Sequence, residues 1–306
     1  MKKVLITGAS GFIGQNILPI ILGKGYEVHA VDKVSMEEKF PTVRWHNCDL
    51  TKSDEVTALI KKVQPQFLIH LAWFVSPGKW AMALENFDWV ESSFNLVKNF
   101  HQNGGEKVVI AGSGQEYDWK YGYCNETLTP TNSNTIYGVC KNVLRQLVES
   151  YSAISGLNYV WGRVFFVYGP YENPKRLIAY VINSLLRNET ANCSHGNQVR
   201  DYLNVIDAAD ALIFLMESEF YGVVNVASGD PIKIKDLVQL AAINLNAENL
   251  LNFGAISESE SDTNLVVADV NRLKNELKWE QKFNNREGIN HTIEWWKKNL
   301  DSDRSM

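Results

Sequence analysis

At 306 residues, 45% hydrophobic and 21% charged, the chain has the composition of a globular protein long enough for a sizeable core. A net charge of -5 and a pI near 5.8 give no electrostatic reason to expect nucleic acid or an anionic membrane as a partner. Four scattered cysteines, Cys48, Cys124, Cys140 and Cys193, form neither a Cys-x-x-Cys pair nor a Cys/His cluster. Reduced thiols in a cytoplasmic protein are therefore expected, and a metal site is not. No apolar run reaches membrane-spanning length, and Met1-Lys2-Lys3 leads into a strand and not a signal peptide.

Val4-Leu5-Ile6-Thr7 reads as a buried strand, and Gly8-Ala9-Ser10-Gly11-Phe12-Ile13-Gly14 follows at once. A helix carrying Ile13, Ile17, Leu18 and Ile21 then closes at Gly23, and Tyr26 to Val31 forms a second strand ending in Asp32. Strand, glycine turn, helix, strand and acid make up a dinucleotide-binding unit, with Asp32 falling 18 residues after Gly14 (32 - 14). Gly8 permits the tight turn, Gly11 lets a pyrophosphate approach the backbone, and Gly14 lets helix and strand pack closely. The helix N-terminus points free N-H groups at the phosphates. Asp32 can accept both ribose hydroxyls of NAD and repels a 2'-phosphate, so NAD is favoured, with NADP left open because Lys33 stands beside it.

Further strands are expected at Val43 to His46, Phe67 to Leu71, Lys107 to Ala111 and Tyr159 to Val167. Helices alternate with them: one from Asp54 to Val63 capped by Ser53, one over residues 79–102, and one from Thr135 to Ser155. This rhythm predicts an α/β fold, a Rossmann-like doubly wound parallel sheet, with ligands gathered at the carboxyl ends of the strands near Asp32, Ala72 and Ser113. Beyond Tyr168-Gly169-Pro170 the segments shorten. Residues 1–167 are read as the dinucleotide-binding domain, with returning segments near 200–228 and 265–275. Residues 168–306 are read as mainly a smaller substrate-binding α/β region, folded against the sheet with no tether. Residues 258–262 read as a solvated acidic loop, and Trp295 and Trp296 as the docking face of a terminal helix.

Tyr137 and Lys141 are four residues apart and share one helix face. A phenol must lose roughly 3 units of pKa, about 4 kcal/mol, to act as an acid or base at neutral pH, and one cation at ~4 Å supplies about that much at an effective dielectric of ~20. Alone, such a pair is more often a solvated helix face. Here it accompanies the glycine turn.

Together these stretches resemble the extended short-chain dehydrogenase/reductase family, in its nucleotide-sugar epimerase, dehydratase and 4-ketoreductase branch. The residues carrying the resemblance are Thr7 to Gly14, Asp49-Leu50, His70-Leu71-Ala72, Ser113, Tyr137-x-x-x-Lys141, Gly169-Pro170, Arg200-Asp201-Tyr202 and Val205-Ile206-Asp207. The resemblance implies a catalytic set of Ser113, Tyr137 and Lys141. Ser113 would hydrogen-bond the reacting sugar oxygen and Tyr137 would exchange its proton. Lys141 would hold the nicotinamide ribose and, with the cofactor's charge, lower the Tyr137 pKa. It also implies cofactor contacts from Gly8, Gly11, Phe12, Ile13, Gly14, Asp32, Asp49, Leu50, Leu71 and Ala72, and substrate contacts from Gly114, Gln115, Arg176 and Arg200. A nucleotide-diphosphate sugar substrate and a homodimer built on residues 79–102 and 135–155 are implied as well.

Departures from the branch narrow the reaction. Its 4,6-dehydratases follow the catalytic Ser/Thr with Asp-Glu, whereas Gly114-Gln115 stands here, and Glu116 comes one position late. The Cys and His pair of a 3,5-epimerase is not evident, since Cys140 falls inside the Tyr137-Lys141 helix and His195 in a loop. Phe166 and Trp89 stand where many relatives carry Asn, and Trp73, Trp80, Tyr117 and Trp119 are read as either substrate-side walls or packing. The leading expectation is a reductase of a nucleotide-linked 4-keto-6-deoxy sugar. The alternative is an NAD-dependent 4-epimerase, and the least favoured is a non-catalytic dinucleotide-binding regulator.

Overall fold

The computed structural model describes residues 1–76, 78–257 and 263–300, so the acidic loop expected at 258–262 lies outside the described residues. The strands are β1 (Lys3–Thr7), β2 (Glu27–Val31), β3 (Arg44–His46), β4 (Phe67–His70), β5 (Lys107–Ser113), β6 (Tyr123–Cys124), β7 (Asn158–Val164), β8 (Phe166–Tyr168), β9 (Ala191–Cys193), β10 (Val199–Asn204), β11 (Gly222–Val226), β12 (Pro231–Lys233), β13 (Leu251–Phe253) and β14 (Leu265–Ala268). The helices are α1 (Phe12–Leu22), α2 (Ser53–Val63), α3 (Glu85–Gln102), α4 (Ile136–Ser155), α5 (Leu177–Leu186), α6 (Val205–Glu217), α7 (Ile234–Leu245) and α8 (Asn285–Asn299).

Seven strands form one parallel sheet in the order β11-β7-β5-β4-β1-β2-β3. Strand order reverses between β1 and β4, the place where a doubly wound sheet opens a crevice at its carboxyl edge. Central strands are apolar on both faces because helices cover both: Val4, Ile6 and Ile69 pack under α1 and α6, while Leu5, Leu68 and Ile110 pack under α2, α3 and α4. Each such side chain contributes about 1.5–3 kcal/mol when fully buried.

A second sheet runs β12-β10-β14-β6, with β8 paired to β10, and β9 pairs with β13. It lies beside a third core formed by α5, α7 and α8, into which Trp296 and Ile293 are buried. The chain returns from there to the first sheet through α6, which packs on α1, and β11, which pairs with β7.

Three local expectations are corrected. The strand expected from Tyr159 to Val167 is two strands. At Phe165 the backbone N-H donates to Val226 O (3.1 Å), and the chain then leaves the first sheet so that Phe166 pairs with Tyr202 in the second. The helix expected to start near Lys79 starts at Glu85, after a separate 3-10 turn at Trp80–Met82. Ser53 is the first residue of α2 and not its cap; its hydroxyl accepts a hydrogen bond from Asn95 (3.2 Å).

Among the described residues no helix is long and apolar enough to cross a membrane, and no group of His, Cys, Asp and Glu is placed to hold a metal ion. All four cysteines are buried free thiols.

Candidate active site

A cleft of about 840 Å³ opens at the carboxyl edge of the sheet. The glycine turn forms its floor. Gly8 has φ +68°, and a Cβ there would stand 2.8 Å from the Ala72 nitrogen, while one on Gly14 would stand 2.3 Å from Gly8 O. Neither position tolerates a side chain, so β1, α1 and β4 approach each other only with glycine there. Gly11 is exposed toward the cleft, and the N-terminus of α1 has no side-chain cap, which leaves its N-H groups for an anion.

Asp32 accepts from the backbone N-H groups of Ser10 (3.0 Å) and Lys33 (2.8 Å), which fixes its carboxylate at the rim and leaves each oxygen a lone pair. The Lys33 ammonium lies 3.6 Å from Asp49, the acid with which it forms an ion pair. Asp49 also accepts from the Thr51 N-H and hydroxyl. Phe12, Ile13, Leu50, Leu71 and Ala72 complete the apolar wall. An exposed glycine backbone, an uncapped helix start and a fixed carboxylate suit a dinucleotide's pyrophosphate and ribose. The group fits.

The three residues expected at the reacting centre come together in the same cleft. Thr135 caps α4 by accepting from Gly138 N-H (3.0 Å), and Gly156 ends the helix at φ +79°, so Tyr137 sits in the first turn and Lys141 one turn later. Ser113 ends β5, next to the start of α4, and its hydroxyl is near enough to the Tyr137 phenol to favour the charged form of that phenol. The Lys141 ammonium donates to Ala111 O (2.8 Å) and lies 3.9 Å from the centre of the Trp73 ring.

The electrostatics differ from the sequence expectation. Burial pushes the Tyr137 phenol up to about 12, only partly offset by the Ser113 hydroxyl beside it. Burial also pulls Lys141 down to about 7, against the attraction of Glu116. Lys141 does not depress the Tyr137 pKa here, because its ammonium lies 5.9 Å from the phenol ring centre and itself suffers desolvation.

Glu116, one position late for the dehydratase pattern, has a different task. It is fully buried and accepts from Ser113 N-H (2.7 Å), Trp161 Nε1 (2.9 Å) and Arg163 Nε (2.7 Å). With Gln115 N-H donating to the Ser113 hydroxyl (3.1 Å), it closes a reciprocal cap that fixes the Ser113 turn. The Ser-x-x-Glu spacing was the available sequence signal.

Of the expected substrate residues, only Ser113 and Arg176 line the cleft. Arg176 is half-exposed, with Nε 3.3 Å from Glu172 and Nη2 donating to Val167 O (3.2 Å). Gly114 and Gln115 turn away beneath Ser113, and Trp119 Nε1 donates to Gly114 O (2.8 Å). Arg200 is buried in the second sheet, its guanidinium 5.6 Å from the Phe166 ring centre. Trp73 and Trp89 line the cleft, whereas Tyr117 is packing, bonded to Asn225 and Arg163. Asn86, which accepts from the Trp73 indole (2.8 Å), had no sequence signal at all.

Three comparisons place this geometry. The UDP-glucuronate 4-epimerase of Thermodesulfobacterium geofontis is 24% identical over 100% of this chain and 99% of its own length. A crystal structure of a Thermotoga maritima UDP-glucose 4-epimerase with UDP-glucose superposes with a TM-score of 0.86 at 23% identity, covering 97% of this chain and 99% of that one. MoeE5, in complex with UDP-glucose and NAD, superposes at 0.84 with 27% identity, covering 97% and 99%. Residues 4–227 match the model of the NAD dependent epimerase/dehydratase family, and the chain belongs to that family.

Proposed function

We propose that the chain catalyses NAD-dependent hydride exchange at C4 of a nucleotide-linked sugar, and that the reaction is a 4-epimerisation. The observation carrying this reading is the meeting of Ser113, Tyr137 and Lys141 in one cleft with the glycine turn and Asp32. Ser113 and Tyr137, which line the same cleft, would orient the C4 oxygen between them, with Tyr137 Oη holding or releasing its proton. Lys141, held by Ala111 O, would hold the nicotinamide ribose. The chemistry that a bound NAD would supply is reversible uptake of the C4 hydride by its nicotinamide ring.

Gly114 and Gln115 carry no group that transfers a proton at neutral pH, and Glu116 is locked by three donors, which speaks against water elimination. Sequence alone favoured a 4-keto-6-deoxy-sugar reductase. Full-length similarity to proteins named 4-epimerases moves epimerisation ahead of it. The reductase uses the same constellation and stands second.

Asp49 and Leu50 are proposed as the adenine side of the site, and Arg176, forked and reaching the cleft, as the contact for the substrate diphosphate. Residues 168–306 are assigned mainly to substrate binding. Val139, Val143 and Leu147 form an exposed apolar stripe at i, i+4, i+8 on α4, beside the partly buried Phe94 and Val90 of α3. We assign this face to a homodimer, and sedimentation as a monomer would contradict it.

The test is incubation of the purified protein with UDP-glucuronate or UDP-glucose, followed by NMR of the products. Epimerisation yields the C4 epimer with no net NADH consumed. Stoichiometric NADH consumption with a nucleotide-linked 4-keto sugar would replace the epimerase by the reductase. Unimpaired turnover in Tyr137→Phe would overturn both.

A further inference from the structure

Lys141 is almost fully buried, and among the described residues no carboxylate lies within ion-pair distance of its ammonium. It has a carbonyl at 2.8 Å, from Ala111, and an indole face, that of Trp73, at 3.9 Å. The charged and titratable groups around it are Glu116, which attracts it but is paired with Arg163, His70, held neutral by burial, and Tyr137, protonated for the same reason. Beyond the Ala111 carbonyl, the indole is the nearest negative potential to the ammonium, and an aromatic face attracts a cation most strongly where water is excluded.

That indole is itself fixed. Trp73 is buried and its Nε1-H donates to Asn86 Oδ1 (2.8 Å). Asn86, fully buried, spends its amide group on Trp80 O and Ala83 O (2.8 Å each). The same amide thereby sets the turn carrying Trp80, whose ring meets Tyr137 edge-on at 4.9 Å, while Trp73 meets Tyr137 edge-on at 6.3 Å. One side chain on α3 thus holds two indoles against both members of the Tyr137-Lys141 pair.

We propose that Trp73, clamped by Asn86, is a positioning residue that keeps Lys141 in its ammonium form above its indole face. The inference takes Lys141 as part of the active site, as proposed above, but its first test needs neither substrate nor cofactor. In full-length protein labelled with ¹⁵N-tryptophan, the Trp73 indole N-H signal, assigned with Trp73→Phe, shifts between pH 5.5 and 9 as Lys141 titrates, and stays flat in Lys141→Met. A flat Trp73 signal in the wild-type chain, or one that titrates unchanged in Lys141→Met, overturns the proposal while leaving the proposed reaction untouched.

In Trp73→Leu, losing the π-face moves the Lys141 midpoint down by about one unit. NADH affinity measured by calorimetry is then up to about tenfold weaker than wild type at pH 8, where fewer molecules carry the ammonium, and equal at pH 5.5, where both are charged. Equal weakening at both pH values would mean that Trp73 only fills space, and would also overturn the proposal. In turnover, the alkaline limb of the pH profile moves to lower pH in Trp73→Leu and less far in Trp73→Phe.

Discussion

Two buried cations flank the carboxyl end of β5, and they have been given opposite surroundings. Arg163 is 2% exposed and Lys141 is 3% exposed, so burial alone does not separate them. Arg163 donates to Glu116 and to the Tyr117 hydroxyl (2.8 Å), and its guanidinium lies 4.4 Å from the Tyr117 ring centre. Burial pulls its pKa down, but Glu116 and Tyr117 outweigh that and hold it above the usual arginine value. Lys141 has a carbonyl and an indole, and burial brings it to about 7. A cation with a committed carboxylate serves the fold. One without such a partner relies on weaker contacts, here a carbonyl and an indole, to stay charged near neutrality, which is what the proposed site asks of Lys141.

The sharpest way to test that division is to remove each cation in turn. Lys141→Met deletes a desolvated charge and keeps the side chain's bulk, so the chain should remain as stable as wild type to within about 1 kcal/mol. Turnover should fall by roughly 10²-fold or more, as when a group that positions the reacting partners is lost. Denaturant unfolding beside initial rates checks both halves, and a large loss of stability would put Lys141 in the same class as Arg163. Glu116→Ala should do the reverse in kind. It leaves Arg163 buried without its carboxylate, costing about 3–5 kcal/mol of stability. Turnover should fall only through the loosened Ser113 turn.

Part of this could be read from the chain itself, and the reason is spacing. The glycine turn and the Tyr137-Lys141 pair are local patterns whose geometry follows from one turn or one helix. The Ser113-Glu116 cap was also local, but a search for catalytic carboxylates read Glu116 as misplaced. What stayed hidden depends on residues far apart in sequence. Arg163 meets Glu116 across 47 positions, and the break at Phe165 arises only because a second sheet receives Phe166. Expected substrate residues were least legible. Arg200 sits in a recognisable motif, yet whether its side chain reaches the cleft is decided by tertiary packing against Phe166.

A third buried group tests the same principle through pH. His70 lies between Thr7 Oγ1 (2.7 Å) and Ser93 Oγ (2.8 Å), and burial, helped by the Lys141 charge, pulls it down to about 3. Its folded pKa lies below the unfolded value near ~6.5, so the unfolded chain binds the extra proton first. The stability it contributes is whole above about pH 6.5 and drains as pH falls toward the folded value. Between pH 7 and 4.5 this amounts to about 3 kcal/mol. Denaturation midpoints at the two pH values should show it, and His70→Gln should be less acid-sensitive by a similar amount.

The smallest effect expected concerns how firmly Tyr137 is held. Thr135 is the side-chain cap of α4, and Thr135→Ala leaves Gly138 N-H without its acceptor, costing about 1 kcal/mol. The helix start has other anchors. A Cβ on Gly138 would stand 2.2 Å from Gln115 O, so the first turn of α4 is pressed against the Ser113 turn, and Lys141 is tied to Ala111 one turn later. Turnover in Thr135→Ala should therefore fall by less than about tenfold, and Thr135→Ser, which keeps the hydroxyl, should restore both quantities. A loss as large as that of Lys141→Met would mean that the cap, and not the packing of Gly138 on the Ser113 turn, sets the distance from Tyr137 to Ser113. Ser113 would then depend on the entry to α4 more than on Glu116, and the division between the fold-serving and the reactive cation would have to be redrawn around the helix start.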